Sequence, residues 1–281
     1  VRQNSLVTWG NFVYTILRNP HGPPRGIPQS CTTGAVPLGK KIDGIWGVIG
    51  AMASEVELLT SRMEEASVLR HAGVDFHYGT LEGVPVVAAR CGIGKVCAAV
   101  CAQAMIDRFH VAALVNTGVA GGVAAGLSVG DLVIGADAVQ HDFDITAFGH
   151  AKGYMGLGPG PADDSQPTRF AADPDLVAAF RAAAESVPGS GSILTGTIAS
   201  GDVFVADDRV KREIAAQFGA AAVEMEGAAV AQVAVANGVP FVIVRAISDL
   251  AGEAATVSFE EFEKAAAERS ARIVSAMLRQ A

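Results

Sequence analysis

The densest group of reactive side chains in this chain follows an apolar run close to its C-terminal end. Residues 242–244 are β-branched, which is typical of a strand covered on both faces. Arg245, Ser248 and Asp249 then arrive within five residues of the end of this predicted strand. Because ligands of open α/β sheets bind beyond the carboxyl ends of strands, the pattern predicts an arginine, a hydroxyl and a carboxylate at a binding site.

Two carboxylates, Glu55 and Asp249, could divide acid–base work between them. Glu55 is predicted in the first turn of a helix, where the helix dipole favours the ionised form that a general base requires. Asp249 lies among apolar residues near Arg245, so burial would raise its pKa and the arginine would lower it. Each also has an ordinary interpretation: acidic residues are common in first turns, and Asp249 could cap a turn while pairing with Arg245.

Glu224 and Glu226 form a second acidic pair, in an apolar stretch predicted as the start of a helix over 222–237. Acidic side chains are rarely buried without a partner, so at least one should bind Arg245 or a ligand hydroxyl. A ribose diol suits a carboxylate that accepts two hydrogen bonds. For Glu224, an internal ion pair with Arg245 is the competing interpretation.

Weaker signals come from glycine-rich segments and one aromatic residue. Residues 92–95 and 116–122 are predicted as turns after strands that let a ligand approach the backbone, although neither matches a P-loop or a complete GxGxxG motif. Phe204 lies in the turn-like segment 201–205, where it could either stack on a heterocycle or belong to the core.

His141, Asp142 and Asp144 are close in sequence, without a further metal-binding group at usable spacing. We therefore predict no metal site, and we expect no cofactor.

Composition restricts the classes of protein that the chain can belong to. Half of its 281 residues are hydrophobic and 18% are charged, which predicts a substantial core and argues against disorder. The net charge of −8 argues against a nucleic-acid partner. The uncharged stretches 109–130 and 227–244 contain glycines and polar residues, which favours strand–turn–helix joints over membrane spans.

The four cysteines, Cys31, Cys91, Cys97 and Cys101, contain no CxxC pair. We interpret them as buried reduced thiols, which are typical of a cytoplasmic protein.

Residues 1–44, with five prolines, predict a weakly ordered extension, and the remainder, 45–281, predicts one α/β domain. S-x-x-E capping boxes at Ser54 and Ser258 predict two helix starts. Strands are predicted at 45–50, 112–116 and 131–136, a hairpin at 76–81 and 84–91, helices at 95–109, 175–186, 222–237 and 258–279, and a long Gly/Pro-rich loop at 149–167.

Taken together and in this order, the motifs resemble the 5′-methylthioadenosine/S-adenosylhomocysteine nucleosidase family over about residues 45–279. The resemblance rests on 50–55 (GAMASE), 92–95 (GIGK), 116–122 (NTGVAGG), 141–149 (HDFDITAFG), 200–204 (SGDVF), 223–226 (VEME) and 245–249 (RAISD). It implies a nucleoside phosphorylase/hydrolase-like fold, which is a three-layer sandwich with a central twisted mixed β-sheet flanked by helices. It also implies hydrolysis of an adenine N-glycosidic bond and a homodimer.

The resemblance further implies a role for each matching residue. Asp249, positioned by Ser248, would protonate the purine, and Glu55, with Arg245 nearby, would activate water. Met225 and Glu226 would hold the ribose, Phe204 would stack on adenine, and the Val205 backbone would contact the base edge. The pocket for the 5′-substituent would contain Ile93, Phe259 and, from a partner subunit, Ile145 and Phe148.

Some features depart from the family pattern, and three other functions compete. Val119 stands where many relatives have a hydroxyl residue, and both the loop 149–167 and the extension 1–44 are unusual. A nucleoside phosphorylase would need several basic groups for phosphate, whereas the first glycine loop carries Glu55. A non-catalytic nucleoside-binding protein is disfavoured by the presence of both Glu55 and Asp249. A futalosine-type hydrolase would differ only in the 5′ pocket.

Overall fold

The computed structural model describes residues 6–9, 12–15, 42–157, 163–189, 191–252 and 254–280, and the chain divides into two compact units. In the first unit, Val1–Pro37, strands β1 (Leu6–Trp9) and β2 (Phe12–Thr15) form an antiparallel pair. The weakly ordered extension predicted for 1–44 falls mostly outside the described residues and stays a prediction.

The second unit, Leu38–Ala281, consists of a ten-stranded mixed sheet with helices on both faces. Its strands are β3 (Trp46–Gly50), β4 (Glu64–His71), β5 (Val74–Leu81), β6 (Val84–Arg90), β7 (Ala113–Gly122), β8 (Leu132–Gln140), β9 (Phe170–Ala171), β10 (Ile193–Ser200), β11 (Ala220–Glu224) and β12 (Phe241–Asp249). Its helices are α1 (Ala53–Thr60), α2 (Lys95–Phe109), α3 (Pro174–Ser186), α4 (Asp208–Phe218), α5 (Gly227–Asn237) and α6 (Ala255–Leu278), with a 3₁₀ turn at Thr146–Phe148.

The sheet runs in the order β11-β10-β8-β12-β7-β3-β6-β5-β4, and β9 pairs with β8. Strand β7 also pairs with β11, so β7, β12, β8, β10 and β11 form a closed ring. The outer part ends in the β4–β5–β6 antiparallel meander. The ring brings the ends of β7, β11 and β12 together. Residues that are far apart in sequence therefore meet at one end of the ring.

Two hydrophobic clusters cover the two faces of this sheet. Helices α2 and α5 bury alanine-rich faces on one side. Helices α1, α3 and α6 bury Val56, Leu59, Phe180 and Ile273 on the other side. This confirms the three-layer sandwich with a central mixed sheet, and none of the helices among the described residues has the length and apolar composition to cross a membrane.

The prediction of one helix over 222–237 is wrong. Residues up to Glu224 form β11, and α5 begins only at Gly227. Pairing with β10 and β7 overrides the helix propensity of the alanines in this stretch. For the same reason 116–122 is not a turn, because these residues extend β7 by pairing with β12 and, at Gly121 and Gly122, with β11.

Both predicted capping boxes are also wrong. Helix α1 begins at Ala53 and α6 at Ala255, so Ser54 and Ser258 lie inside helices. The hydroxyl of Ser54 instead donates to the carboxylate of Glu263 on α6.

Strand β12 is longer than predicted. It runs on through Asp249, so Arg245, Ser248 and Asp249 lie on the strand itself rather than beyond it. Cys97 is exposed, contrary to the prediction, whereas Cys91 and Cys101 are buried. The hairpin and the helix over 95–109 are confirmed, and β4, β10 and α4 had not been predicted.

Candidate active site

A cavity of about 390 Å³ opens where the ends of β7, β11 and β12 meet. Its wall combines four acidic side chains and one serine with apolar and aromatic groups, and among the described residues neither lysine nor arginine lines it. The residues lining it are Ala51, Met52, Glu55, Ile93, Val119, Ala120, Gly121, Val203, Phe204, Val205, Val223, Glu224, Met225, Glu226, Ser248, Asp249 and Phe259.

Glu55 is held at the start of α1 by backbone donors from two segments. Its Oε2 accepts hydrogen bonds from the N–H groups of Ala51 and Met52, at 2.6 and 2.9 Å, and its Oε1 accepts from Val119 N at 3.0 Å. The side chain is 2% exposed. Burial raises the pKa of Glu55, and the charge of Arg245 and these three donors oppose that rise.

Arg245 lies behind the cavity wall and is completely buried. Its Nη2 donates to Asn116 Oδ1 and pairs with Glu224. A side chain at Gly118 would collide with both the Arg245 guanidinium and the Glu55 carboxylate, so only glycine allows these two groups to meet there. Arg245 therefore acts on the cavity through its charge, without contributing to the lining.

A bulge in β12 turns Ser248 and Asp249 towards the cavity together. Successive strand residues normally point to opposite faces, but the register shifts here, so that Ile247 pairs with Ala120 and Asp249 with Gly121. Both Ser248 and Asp249 consequently line the cavity. The bulge depends on pairing between β12 and β7, which are distant in sequence.

Asp249 is as deeply buried as Glu55, at 2% exposure, but it has fewer donors. Its Oδ2 accepts from Ser248 Oγ at 3.0 Å, and its Oδ1 accepts from Ala251 N at 2.8 Å, which is the turn-capping bond of the ordinary interpretation. Burial raises the pKa of Asp249, while these two hydrogen bonds and the more distant charge of Lys211 lower it. The predicted pairing with Arg245 is replaced by ion pairs from Arg245 to Glu224 and Glu226.

Glu224 and Glu226 are separated into two different roles. Glu224, at the end of β11, accepts from Glu226 N and Gly227 N at the start of α5 and from Ser200 Oγ, besides pairing with Arg245. The ion pair with Arg245 confirms the internal interpretation for Glu224.

Glu226 faces the cavity with spare accepting capacity. Its Oε1 accepts from Gly94 N at 2.9 Å, and its Oε2 lies 3.7 Å from Arg245 Nη2. Burial first, and then the neighbouring charge of Glu224, raise the pKa of Glu226 to about 7. A ligand that donates hydroxyl hydrogen bonds would stabilise the ionised form.

The aromatic side of the cavity is formed by Phe204 and Phe259. Their rings meet edge to face, with centroids 5.6 Å apart, and the Phe204 face is left partly open to the cavity. Val205 is buried and also lines the cavity. Ile93 and Met225 complete this part of the lining.

Ile145 and Phe148 do not line the cavity of their own chain. Phe148, in the 3₁₀ turn, is 80% exposed, and Ile145 is half-buried. Within the described residues no group of three His, Cys, Asp or Glu side chains is arranged to hold a metal ion.

Sequence reasoning missed several lining residues, including Ala51, Ala120 and Val203. These are small or aliphatic residues whose types carry no chemical signal. Each lies in one of the quoted motifs, 50–55, 116–122 or 200–204, and this could have identified them.

Residues 46–279 match a protein family described as the phosphorylase superfamily. The chain belongs to this superfamily, whose match covers the whole sheet and the cavity. Within it, the chain belongs to the family of 5′-methylthioadenosine/S-adenosylhomocysteine nucleosidases. The nucleosidase of Geobacillus thermodenitrificans is 47% identical over 232 residues, which cover 82% of this chain and 94% of the relative.

Solved structures agree with this assignment. The Neisseria meningitidis nucleosidase, in complex with methylthio-immucillin-A, has a TM-score of 0.78 and 41% identity, covering 85% of this chain and 100% of that chain. The futalosine hydrolase of Helicobacter pylori also has a TM-score of 0.78, at 31% identity, covering 85% of this chain and 98% of that chain.

Proposed function

We propose that the chain hydrolyses the N-glycosidic bond of 5′-methylthioadenosine and S-adenosylhomocysteine and releases adenine. It is an N-glycosyl hydrolase by family membership. The observation that carries the assignment of residues is the arrangement of Glu55, Asp249 and Glu226 around one cavity, each with a different set of donors.

Asp249 is the proposed general acid. Breaking the bond between the sugar C1′ and the purine places negative charge on the leaving base, and a proton delivered to the purine N7 neutralises it. The acid must therefore hold its proton near neutral pH, which requires a raised pKa. The burial of Asp249 raises its pKa and so favours that protonated form.

Glu55 is the proposed general base. Water attacks the oxocarbenium-like C1′, its oxygen forms the new bond, and its proton passes to the Glu55 carboxylate. Three backbone N–H donors and the Arg245 charge favour the ionised form that can accept this proton. Arg245 supports the base through its charge from behind the wall.

The remaining lining groups match the parts of an adenine nucleoside. Glu226 accepts hydrogen bonds from the ribose hydroxyls, and Met225 packs against the sugar. Phe204 stacks on adenine, and the Val205 backbone contacts the edge of the base. Ile93 and Phe259 contribute apolar surface for the 5′-substituent.

A homodimer would complete the 5′ pocket with Ile145 and Phe148 of a partner subunit. Supporting this proposal, apolar side chains are exposed near the cavity, with Ile93 at 60% exposure and Val96 on α2 more open still. Solvent-exposed apolar surface of this kind favours a protein interface. The buried free thiols Cys91 and Cys101 agree with a cytoplasmic location.

The catalytic proposal is tested by measuring adenine release from 5′-methylthioadenosine, S-adenosylhomocysteine, 5′-deoxyadenosine and aminofutalosine, with and without phosphate. We expect release from the first two substrates without phosphate. Strict dependence on phosphate would support a phosphorylase, and exclusive cleavage of aminofutalosine would support the activity named for the Helicobacter pylori neighbour.

The partner contribution is tested by mixing Phe148→Ala and Asp249→Asn chains. If Phe148 contributes to the partner's site, each mixed dimer has one site in which both Phe148 and Asp249 are intact. These intact sites should show the low KM of the wild type. A mixture in which the active sites keep the raised KM of Phe148→Ala would contradict the proposal.

A further inference from the structure

Three charged residues that do not line the cavity are joined in a ring of hydrogen bonds, next in the chain to segments that do line it. Lys95 is the first residue of α2, Asp142 follows β8, and Asp202 lies in the segment before Phe204. Lys95 N donates to Asp202 Oδ1 at 2.8 Å, Asp202 N donates to Asp142 Oδ2 at 2.8 Å, and Lys95 Nζ donates to Asp142 Oδ1 at 2.5 Å. We call these three residues the clamp.

The clamp supplies a helix cap that α2 lacks. The N-cap position of α2 is Gly94, which has no side chain to accept the first free N–H groups of the helix. Asp202 provides that acceptor from another segment, and its carboxylate lies at the positive end of the helix dipole. Gly94 adopts φ +99°, and a Cβ atom there would lie 3.1 Å from Asp202 Oδ1, so glycine also permits the close approach.

The clamp joins two segments that contribute to the cavity lining. On one side, Gly94 N donates to Glu226 Oε1, and Ile93 lines the cavity. On the other side, Asp202 is two residues before Phe204. The hydrogen bond from Lys95 N to Asp202 therefore holds the sugar-binding and base-stacking sides of the proposed site at a fixed separation.

Asp142 closes the clamp by accepting hydrogen bonds from both other members. Burial raises the pKa of Asp142, but the hydrogen bonds from Lys95 and Asp202 outweigh this and hold it below its ordinary value, so the residue stays anionic. Gln140 Oε1 accepts a further hydrogen bond from Lys95 Nζ at 3.2 Å.

We propose that Lys95, Asp142 and Asp202 are positioning residues that set the separation between Glu226 and Phe204, and thereby the affinity for the nucleoside. The inference rests on the proposed function, because it assigns ribose to Glu226 and adenine to Phe204. None of the three residues takes part in proton transfer, so their loss should raise KM much more than it lowers kcat.

The test compares Asp202→Ala with Asp202→Asn. We expect Asp202→Ala to raise KM for 5′-methylthioadenosine about tenfold, equivalent to about 1.4 kcal/mol, while kcat changes less than about threefold. The asparagine oxygen can still accept from Lys95 N, so Asp202→Asn should recover most of the affinity. Asp202→Ala should also be non-additive in KM with Phe204→Ala, because it acts through that ring.

Asp173→Ala is the matched control. Asp173 caps α3, accepting from Asp175 N and Leu176 N at 3.0 Å, and it does not line the cavity. Its loss should lower Tm as a lost cap does, with KM unchanged. Hydrogen exchange of the peptide containing Lys95 gives a readout independent of turnover, and protection there should fall in Asp202→Ala and persist in Asp173→Ala.

An unchanged KM in Asp202→Ala, with wild-type turnover intact, would overturn the clamp and leave the proposed function standing. Additive effects of Asp202→Ala and Phe204→Ala would overturn it equally. Absence of adenine release by the wild type would instead refute the proposed function itself. Loss of exchange protection without any change in KM would assign the three residues to helix stability alone and contradict the positioning role.

Discussion

Glu55 and Asp249 stand in two regions of one cavity with the same 2% exposure, yet their surroundings differ. Glu55 receives three backbone N–H donors and lies against Arg245, whereas Asp249 receives one backbone N–H and one serine hydroxyl. Burial raises the pKa of both carboxyls. In the proposed mechanism, the larger set of donors and the Arg245 charge favour the ionised form of the base Glu55, and the smaller set at the acid Asp249 opposes protonation less.

The largest expected effect comes from replacing Asp249, the proposed proton donor. Asp249→Asn preserves shape, but it has no carboxylic proton to give to the leaving base. We expect kcat to fall about 10³–10⁴-fold, with KM changing much less. Steady-state adenine release measures both, and Asp131→Asn, which alters another buried aspartate outside the cavity, should retain wild-type kcat. A loss of kcat below about tenfold would contradict the assignment of Asp249 as the general acid.

A somewhat smaller loss is expected at the Glu55 end. The amide of Glu55→Gln can hold the water but cannot take its proton, so kcat should fall about 10²–10³-fold. Activity that depends on ionised Glu55 falls as pH drops through its pKa, and activity that depends on protonated Asp249 falls as pH rises through its own. The acidic limb of kcat/KM should therefore disappear in Glu55→Gln, while the alkaline limb remains.

Glu57→Gln is the control for that experiment, because Glu57 is exposed on the same helix and does not line the cavity. It should keep both limbs and wild-type kcat. If Glu55→Gln retained its acidic limb, the base would have to be a different group.

The raised pKa of buried Glu226 can be tested through the pH dependence of the free energy of unfolding. Its pKa of about 7 in the folded chain exceeds the ordinary value of 4.5, so the stability that its protonated form contributes is lost as pH rises from about 4.5 through 7. The glutamine of Glu226→Gln does not titrate. As pH rises through this window, the free energy of unfolding of the variant should therefore increase relative to that of the wild type, by at most about 3 kcal/mol. Urea unfolding at pH 5 and pH 8 measures the difference, and parallel pH dependences would contradict a buried, raised Glu226.

The smallest effect is expected at Ser248. Its hydroxyl donates to Asp249 and lowers the pKa of that carboxyl, so Ser248→Ala should move the alkaline limb of kcat/KM to higher pH. We expect a shift below about one unit and a loss of kcat of up to about tenfold. Ser275→Ala, which alters a buried serine of α6 outside the cavity, should leave the profile unchanged. A shift to lower pH would reverse the role assigned to the hydroxyl.

The sequence predicted features that depend on neighbours along the chain. The β5–β6 hairpin was predictable because alternating residues flank the local turn at Glu82 and Gly83. The α/β class followed from strands and helices that alternate over most of the chain, whereas the three-layer sandwich was implied by the family resemblance. The motifs of the family resemblance pointed to Glu55, Asp249 and Glu226, which all line one cavity.

Features that depend on distant pairing could not be predicted. The bulge that turns Ser248 and Asp249 to one side exists only because β12 pairs with β7. Strand β11 resembles a helix in composition, and only its pairing with β10 and β7 makes it a strand. The clamp joins three segments, so none of its residues carried a signal of its position in isolation.

Titration of Asp249 itself shows whether this aspartate keeps its proton at a pH where an ordinary aspartate has lost it. Carbon-13 NMR of aspartate-labelled protein follows the side-chain carboxyl carbons with pH, and the signal missing from Asp249→Asn identifies Asp249. We expect a midpoint clearly above the ordinary value of about 3.9. A midpoint at or below that value would mean that Asp249 is ionised at neutral pH, and would contradict its role as the acid.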